Sequence, residues 1–265
     1  MASPNIGNTT FVTMMYFCNK IKMMKLKLFL ICCLPIICLS CKKEAKEDVS
    51  RDVLYQVSSL TSLMNGNYDG TFPISEFKKN GDFGVGTFDK INGEMTVLDG
   101  VVYQALGDGT VQIADDDEKI PFANISWFDE DFRCATSNDM SETELMEFLN
   151  AQLKQSDQEN AICLARIEGS FTTMIARSEL KQNEKPYKPL VEVLATDERK
   201  FSYENVEGTI IALYCPDFMG NLNATGWHFH FISNDRKKGG HVHSFILQKN
   251  AECTLDFTNE FRMIL

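Results

Sequence analysis

All four histidines of the 265-residue chain fall between His228 and His243. They lie in Gly226-Trp-His228-Phe-His230-Phe, followed by a polar stretch over 233–240 that closes on Gly-Gly, and then His241-Val-His243. On an extended strand, residues two apart share a face. His228 and His230 therefore point together, while Trp227, Phe229 and Phe231 point to the opposite, packed side. The loop over 233–240 is long enough to bring a second strand back beside the first. That return places His241, or both His241 and His243, facing the first pair, and periodicity alone does not choose between them. Three neutral imidazoles converging on one point, with a coordination position left open, make a zinc-type site. The plain alternative is a set of unconnected surface or core histidines.

The elements that must position this cluster are short and strand-rich. Runs over 84–88, 94–98, 101–105 and 110–113 are separated by Asn92-Gly93, Asp99-Gly100 and Asp108-Gly109, dipeptides that signal tight hairpins. Further strands are predicted over 161–167, 171–176, 191–195, 209–214, 228–232 and 241–247. Residues 53–64 alternate apolar and polar side chains ahead of the turn-rich segment 65–70. One helix is well marked: Ser141-Glu-Thr-Glu144 fits a capping box, and Leu145, Phe148, Leu149 and Leu153 then share a face. No repeat and no β-α-β alternation is present, so a parallel nucleotide-binding sheet is not expected. The predicted class is α+β, with a strand-rich mixed-sheet lobe over about 53–160 and a smaller antiparallel β lobe over about 161–265 carrying the histidines. Gly84 and Gly86 lack the third glycine and following helix of a phosphate loop, and are read as a close backbone approach to a ligand.

The charge balance narrows the partners. Residues 1–41 hold four of the 26 basic residues (Lys20, Lys22, Lys25, Lys27) and none of the 37 acids, so residues 42–265 carry 22 − 37 = −15. A body this acidic has no broad face to neutralise phosphates, and nucleic acid is not an expected partner. The head reads as an address instead. Lys25 and Lys27 precede a mostly apolar run over 28–39 that is too short to span a bilayer, and Ser40-Cys41-Lys42-Lys43 closes it. A small residue directly before a cysteine is the pattern of a bacterial lipoprotein signal. Cys41 is the expected lipidated residue, Met24 the expected start, 1–41 a leader and 42–52 a charged tether. A chain so processed is exported and held at the membrane by lipid alone, with a cytoplasmic location as the alternative. Cys134, Cys163, Cys215 and Cys253 remain in the body, at spacings that form neither a disulfide framework nor a Cys-x-x-Cys metal site.

Beyond the histidines, a series of short motifs runs in one order. Gly81-Asp-Phe-Gly-Val-Gly-Thr-Phe88 leads to Asn92-Gly-Glu94 and Leu98-Asp-Gly100. Lys185-Pro-Tyr-Lys-Pro-Leu190, Gly208-Thr-Ile and Tyr214-Cys-Pro-Asp-Phe-Met-Gly220 follow. The series ends in Gly226-x-His-x-His-Phe and Asp235-Arg-Lys-x-Gly-Gly-His241. Together they resemble the acetolactate decarboxylases, over nearly the whole chain after about residue 55. The resemblance implies a carbon-carbon lyase that converts 2-acetolactate to acetoin and CO2 with a zinc ion, and a homodimer. It implies His228, His230 and His241 as zinc ligands, Glu94 as the catalytic glutamate, Thr87 as a substrate-facing residue and Arg177 as the group that binds the substrate carboxylate. His243 stands where the family has no histidine and is expected behind the ligands or apart from them. The resemblance also implies a glutamate in a C-terminal tail beyond the position of Leu265, which neither Glu252 nor Glu260 matches. Two other functions use the same residues: a zinc-water hydrolase with Glu94 as general base, and a non-catalytic surface lipoprotein that binds metal or a small hydroxy acid.

Overall fold

A computed structural model describes residues 50–265. The expected leader, Cys41 and nearly all of the tether lie outside the described residues. Two seven-stranded sheets dominate the described part, beside a small two-stranded one of Phe72–Pro73 and Lys119–Ile120. In spatial order the first sheet runs Glu260–Ile264, Val53–Val57, Phe122–Ser126, Phe83–Thr87, Glu94–Leu98, Val101–Ala105 and Val111–Ile113. Its hairpins follow the turn chemistry. Asp99 and Gly100, both at positive φ (52° and 76°), join Glu94–Leu98 to Val101–Ala105 with Leu98 opposite Val101, the left-handed pair a two-residue connection needs. Every residue of Glu94–Leu98 is buried, because the strand is central in its sheet and covered on both faces. The pairing of Val53–Val57 with Glu260–Ile264 is parallel, which makes this sheet mixed.

The second sheet is antiparallel throughout: Met140–Ser141, Gly239–Leu247, Gly226–Ser233, Glu198–Cys215, Ile162–Glu179, Glu252–Thr258 and Phe132–Ala135. Ile162–Glu179 and Glu198–Cys215 are 18 residues each and stay paired from Cys163 opposite Tyr214 to Glu179 opposite Glu198. On its other edge, Ile162–Glu179 first pairs Glu252–Thr258 and then Gly239–Leu247. Gly239–Leu247 also pairs Gly226–Ser233, which in turn pairs Glu198–Cys215. Four strands thus close into a ring, packed around Phe171, whose ring meets those of Phe231 and Phe245 edge-on at 5.3 and 5.7 Å.

Four expectations are corrected here. The second sheet is no smaller than the first. A boundary near residue 160 does not separate the sheets either, because Phe132–Ala135 and Met140–Ser141 join the second and Glu260–Ile264 returns to the first. A shared apolar layer ties them, in which Leu54, Phe83 and Val85 meet Leu164, Ile211 and Leu213. The segment read as a strand over 191–195 is the helix Leu190–Thr196. Pro189 starts it, and Leu190, Val193 and Leu194 fall at i, i+3 and i+4, a helical rather than alternating pattern. Finally, Gly84 is small because a neighbouring strand leaves no room, since a Cβ there would lie 2.1 Å from the Asn124 carbonyl oxygen; Gly86, where a Cβ would lie 2.4 Å from the Ala123 Cβ, also lines the histidine-bearing cavity. The predicted helix is present as Glu142–Gln155, with the Ser141–Glu144 capping box formed and Leu145, Leu149 and Leu153 buried on the second sheet.

Candidate active site

Ring closure assembles the site. In register, His230 stands opposite His241, and His241 opposite Arg177 on the far side of the same strand. His228 and His230 share a face of Gly226–Ser233, as the alternation requires. The ligand atoms of His228, His230 and His241 lie within 4.8 Å of one another. His230 Nδ1 is 2.7 Å from the Met95 carbonyl oxygen. A carbonyl only accepts, so Nδ1 carries the proton and Nε2 presents a lone pair, the backing a metal-binding imidazole ordinarily has. His228 Nε2 and His241 Nδ1 face each other at 2.9 Å, and His228 Nδ1 is buried without a partner. Burial, and then the positive charge of Arg177, pushes the His228 pKa down to about 4; burial likewise holds His230 and His241 well below the usual histidine range. All three are therefore neutral near pH 7 and fit a divalent cation by donor type, protonation and convergence. His243 is exposed and is not one of the three convergent imidazoles; its Nε2 lies 3.4 Å from Lys200 Nζ.

The acids come from both sheets. Glu94 begins its strand directly opposite Thr87, at the edge of the first sheet that meets the ring. It is buried, with Oε2 3.5 Å from His230 Nε2 and Oε1 3.4 Å from Arg177 Nη1. Burial, and then the neighbouring Glu179, raises the Glu94 pKa well above the usual carboxylate range, so this carboxyl holds a proton where an exposed one has lost it. Thr87 donates its hydroxyl hydrogen to the Gly93 carbonyl at 2.8 Å, which steadies the turn leading into Glu94. Arg177 is 84% buried by side-chain surface and also pairs with Glu179 through Nη1 and with Glu198 through Nε. A cavity of about 310 Å³ opens on these groups, lined by Thr87, Glu94, Arg177, Glu179 and the three histidines and walled by Leu60, Leu63, Met64, Leu190 and Leu194.

The family model for alpha-acetolactate decarboxylase matches residues 54–265. The chain belongs to the alpha-acetolactate decarboxylase family. The alpha-acetolactate decarboxylases of Methanosarcina mazei and Bacillus subtilis are 40% and 35% identical to it, over 81% and 80% of this chain and 72% and 80% of theirs. The crystal structure of the Bacillus subtilis strain 168 alpha-acetolactate decarboxylase superposes with a TM-score of 0.76 at 34% identity, covering 80% of this chain and 88% of that one. A Staphylococcus aureus protein described as similar to alpha-acetolactate decarboxylase superposes at 0.75 with 26% identity.

All six residues expected at the site after the leader, Thr87, Glu94, Arg177, His228, His230 and His241, line one cavity. Sequence reasoning missed Glu179 and Glu198. The signal for Glu179 was its place two residues after Arg177, the spacing that puts two side chains on one face of a strand. Glu198 had no local signal, because only the pairing of two long strands brings it beside Glu179. Arg177 Nε and Nη1 already face the protein's own acids.

Proposed function

We propose that this member of the family decarboxylates 2-acetolactate to acetoin and CO2 in the cavity between the two sheets, with a divalent cation, zinc by donor type, held by His228, His230 and His241. The observation that carries this reading is the meeting, in one cavity, of three converging imidazoles, a guanidinium and a buried carboxyl. When bound, the cation supplies the Lewis acidity that stabilises negative charge developing beside the substrate's carbonyl group. Arg177 binds the carboxylate and holds the bond to be broken out of the plane of the neighbouring carbonyl, where its electron pair can delocalise as CO2 leaves. Glu94 then delivers its proton to the carbon that lost CO2 and regains one from solvent, which balances the reaction and sets the configuration of acetoin. Thr87 keeps the Glu94 turn in place, and the leucine wall keeps the reacting carbon away from bulk water. The decisive experiment is to incubate purified protein containing residues 42–265 with racemic acetolactate, with and without a chelator, and follow acetoin and CO2. Chelator-sensitive acetoin formation is expected; a metal-loaded protein that forms none contradicts the reading.

A hydrolase acting through a metal-activated water would use the same triad with an ionised Glu94 as base. Burial, which raises the Glu94 pKa against the pull of Arg177, favours the decarboxylase, in which the carboxyl must act as an acid, and Arg177 beside the triad offers a partner for the carboxylate that leaves.

We further propose export and lipid anchoring through Cys41, supported by the apolar run over 28–39 and the small residue before the cysteine. No helix among the described residues is long and apolar enough to cross a membrane. Cys41→Ser is expected to move the full chain from the membrane to the soluble fraction on cell fractionation, and retention at the membrane contradicts the anchor.

A further inference from the structure

The end of the long hairpin carries four charges in an unusual register. Arg177 stands directly opposite Lys200, and Glu179 directly opposite Glu198. Like charges directly opposite one another destabilise a sheet, so cross-strand stability does not account for this arrangement. The attractive contacts instead run along and diagonally between the strands. Arg177 Nη1 pairs with Glu179 two residues on, Arg177 Nε meets Glu198 Oε2 at 3.4 Å, and Lys200 Nζ meets the other oxygen of Glu198, Oε1, at 3.3 Å. Glu198 is thereby held between two cations, and Arg177 between two acids of one hairpin and Glu94 of the opposite sheet.

A guanidinium offers five hydrogens in a fixed plane: one on Nε and two on each Nη. Here Nε faces Glu198 and Nη1 faces Glu94 and Glu179, while Nη2 makes no hydrogen bond among the described residues. We propose, resting on the decarboxylase reading, that Glu198 and Glu179 are positioning residues that clamp the Arg177 guanidinium from two sides, so that it meets the substrate carboxylate through Nη2. The clamp fixes the plane in which the carboxylate docks, and with it the angle of the bond that breaks. Glu198 is the more informative of the two. It does not line the cavity, so it reaches the substrate carboxylate only through Arg177, whereas Glu179 is exposed to the substrate space.

Two readouts test this on the metal-loaded protein. The first is the Arg177 Nε–H resonance in protein labelled with ¹⁵N-arginine, assigned by its disappearance in Arg177→Lys. A slowly exchanging signal is expected in wild type and in Glu198→Gln, whose amide oxygen still faces Nε, and an averaged or lost signal in Glu198→Ala. An unchanged Arg177 signal in Glu198→Ala overturns the clamp, whatever the protein is found to catalyse. The second is steady-state turnover of acetolactate. Glu198→Ala is expected to lower kcat/KM by roughly 10- to 100-fold with metal content unchanged, Glu198→Gln to recover most of that loss, and the same Ala change made in Arg177→Lys to cost little more. An equal loss in both backgrounds overturns the proposal, because Glu198 would then act other than through Arg177. Wild-type protein that makes no acetoin refutes the decarboxylase reading alone, and the resonance still decides the clamp.

Discussion

Arg177 and His241 are direct partners across the antiparallel pair formed by Ile162–Glu179 and Gly239–Leu247. The guanidinium is therefore placed against the triad by backbone hydrogen bonding rather than by a loop, and its distance from the ligands cannot drift while the ring stays closed. Replacement by alanine would leave Glu179 without its counter-charge and Glu198 with Lys200 alone, which costs about 3–5 kcal/mol for a buried pair and confuses stability with function. Arg177→Lys is the cleaner variant. It keeps the charge but loses the planar fork, so it should fold, retain its metal and lose roughly 10- to 100-fold in kcat/KM for acetolactate. Turnover at the wild-type level would remove Arg177 from the mechanism.

The triad and the fourth histidine should separate cleanly by metal content. Substituting His228, His230 or His241 with alanine is expected to lower the metal from about one ion per chain to a small fraction of that, because two imidazoles leave the site short of a tetrahedral donor set. His243→Ala should leave it unchanged, since His243 is exposed and contacts Lys200 instead. Elemental analysis after dialysis measures this directly, and equal loss in all four variants would sink the assignment.

Local chemistry made part of this arrangement legible in the sequence. Asp99-Gly100 dictated a hairpin, Ser141 and Glu144 a helix start, and the His-x-His spacing a shared face, each within a few residues of the chain. The long strand Ile162–Glu179 was not legible as one element, because Glu168-Gly169-Ser170 reads as a turn. Gly169 is instead a strand position where a Cβ would come within 2.9 Å of the Ala251 Cβ. Ring closure was equally hidden. It depends on Gly239–Leu247 reaching the far half of that strand, over 60 residues away in sequence, and no pattern within either segment encodes the partner. The choice between His241 and His243 follows from that closure, as does the presence of Glu198 behind Arg177.

Asp256 should give the fold a pH dependence of its own, away from the triad. It is 1% exposed, and its Oδ2 accepts a hydrogen bond from the Asp129 backbone N–H at 3.1 Å. Burial pushes its pKa up from the ordinary 3.8 to about 7, against the pull of that hydrogen bond and with help from Asp131, Asp52 and Asp129. Between these two values the folded protein holds a proton that the unfolded chain has released. Stability should therefore fall as pH rises from about 4 to about 7, by up to about 1.4 kcal/mol per pH unit, and the contribution should level off above that. Asp256→Asn keeps an acceptor for Asp129 and removes the titration. Urea unfolding should find the variant near wild type at pH 4 and more stable at pH 8, and parallel pH curves for the two proteins would contradict this account.

Glu94 tests the chemistry itself. Its carboxyl lies 3.5 Å from His230 Nε2 and 3.4 Å from Arg177 Nη1, and burial keeps it protonated where an exposed glutamate is ionised. Glu94→Gln preserves size and the acceptor facing Arg177 but cannot give up a proton to carbon. Removing a positioned general acid typically costs 10²- to 10⁴-fold, so kcat should fall by roughly 10²-fold or more with a much smaller change in KM. Metal content should stay at the wild-type level, because the triad is intact. The configuration of the residual product is the sharper readout. If Glu94 delivers the proton to one face of the carbon, the little acetoin formed by Glu94→Gln should be close to racemic, since water then protonates either face. Chiral chromatography separates the outcomes: a slow variant that still makes a single enantiomer would mean that another group, with Glu179 the nearest acid in the cavity, delivers the proton.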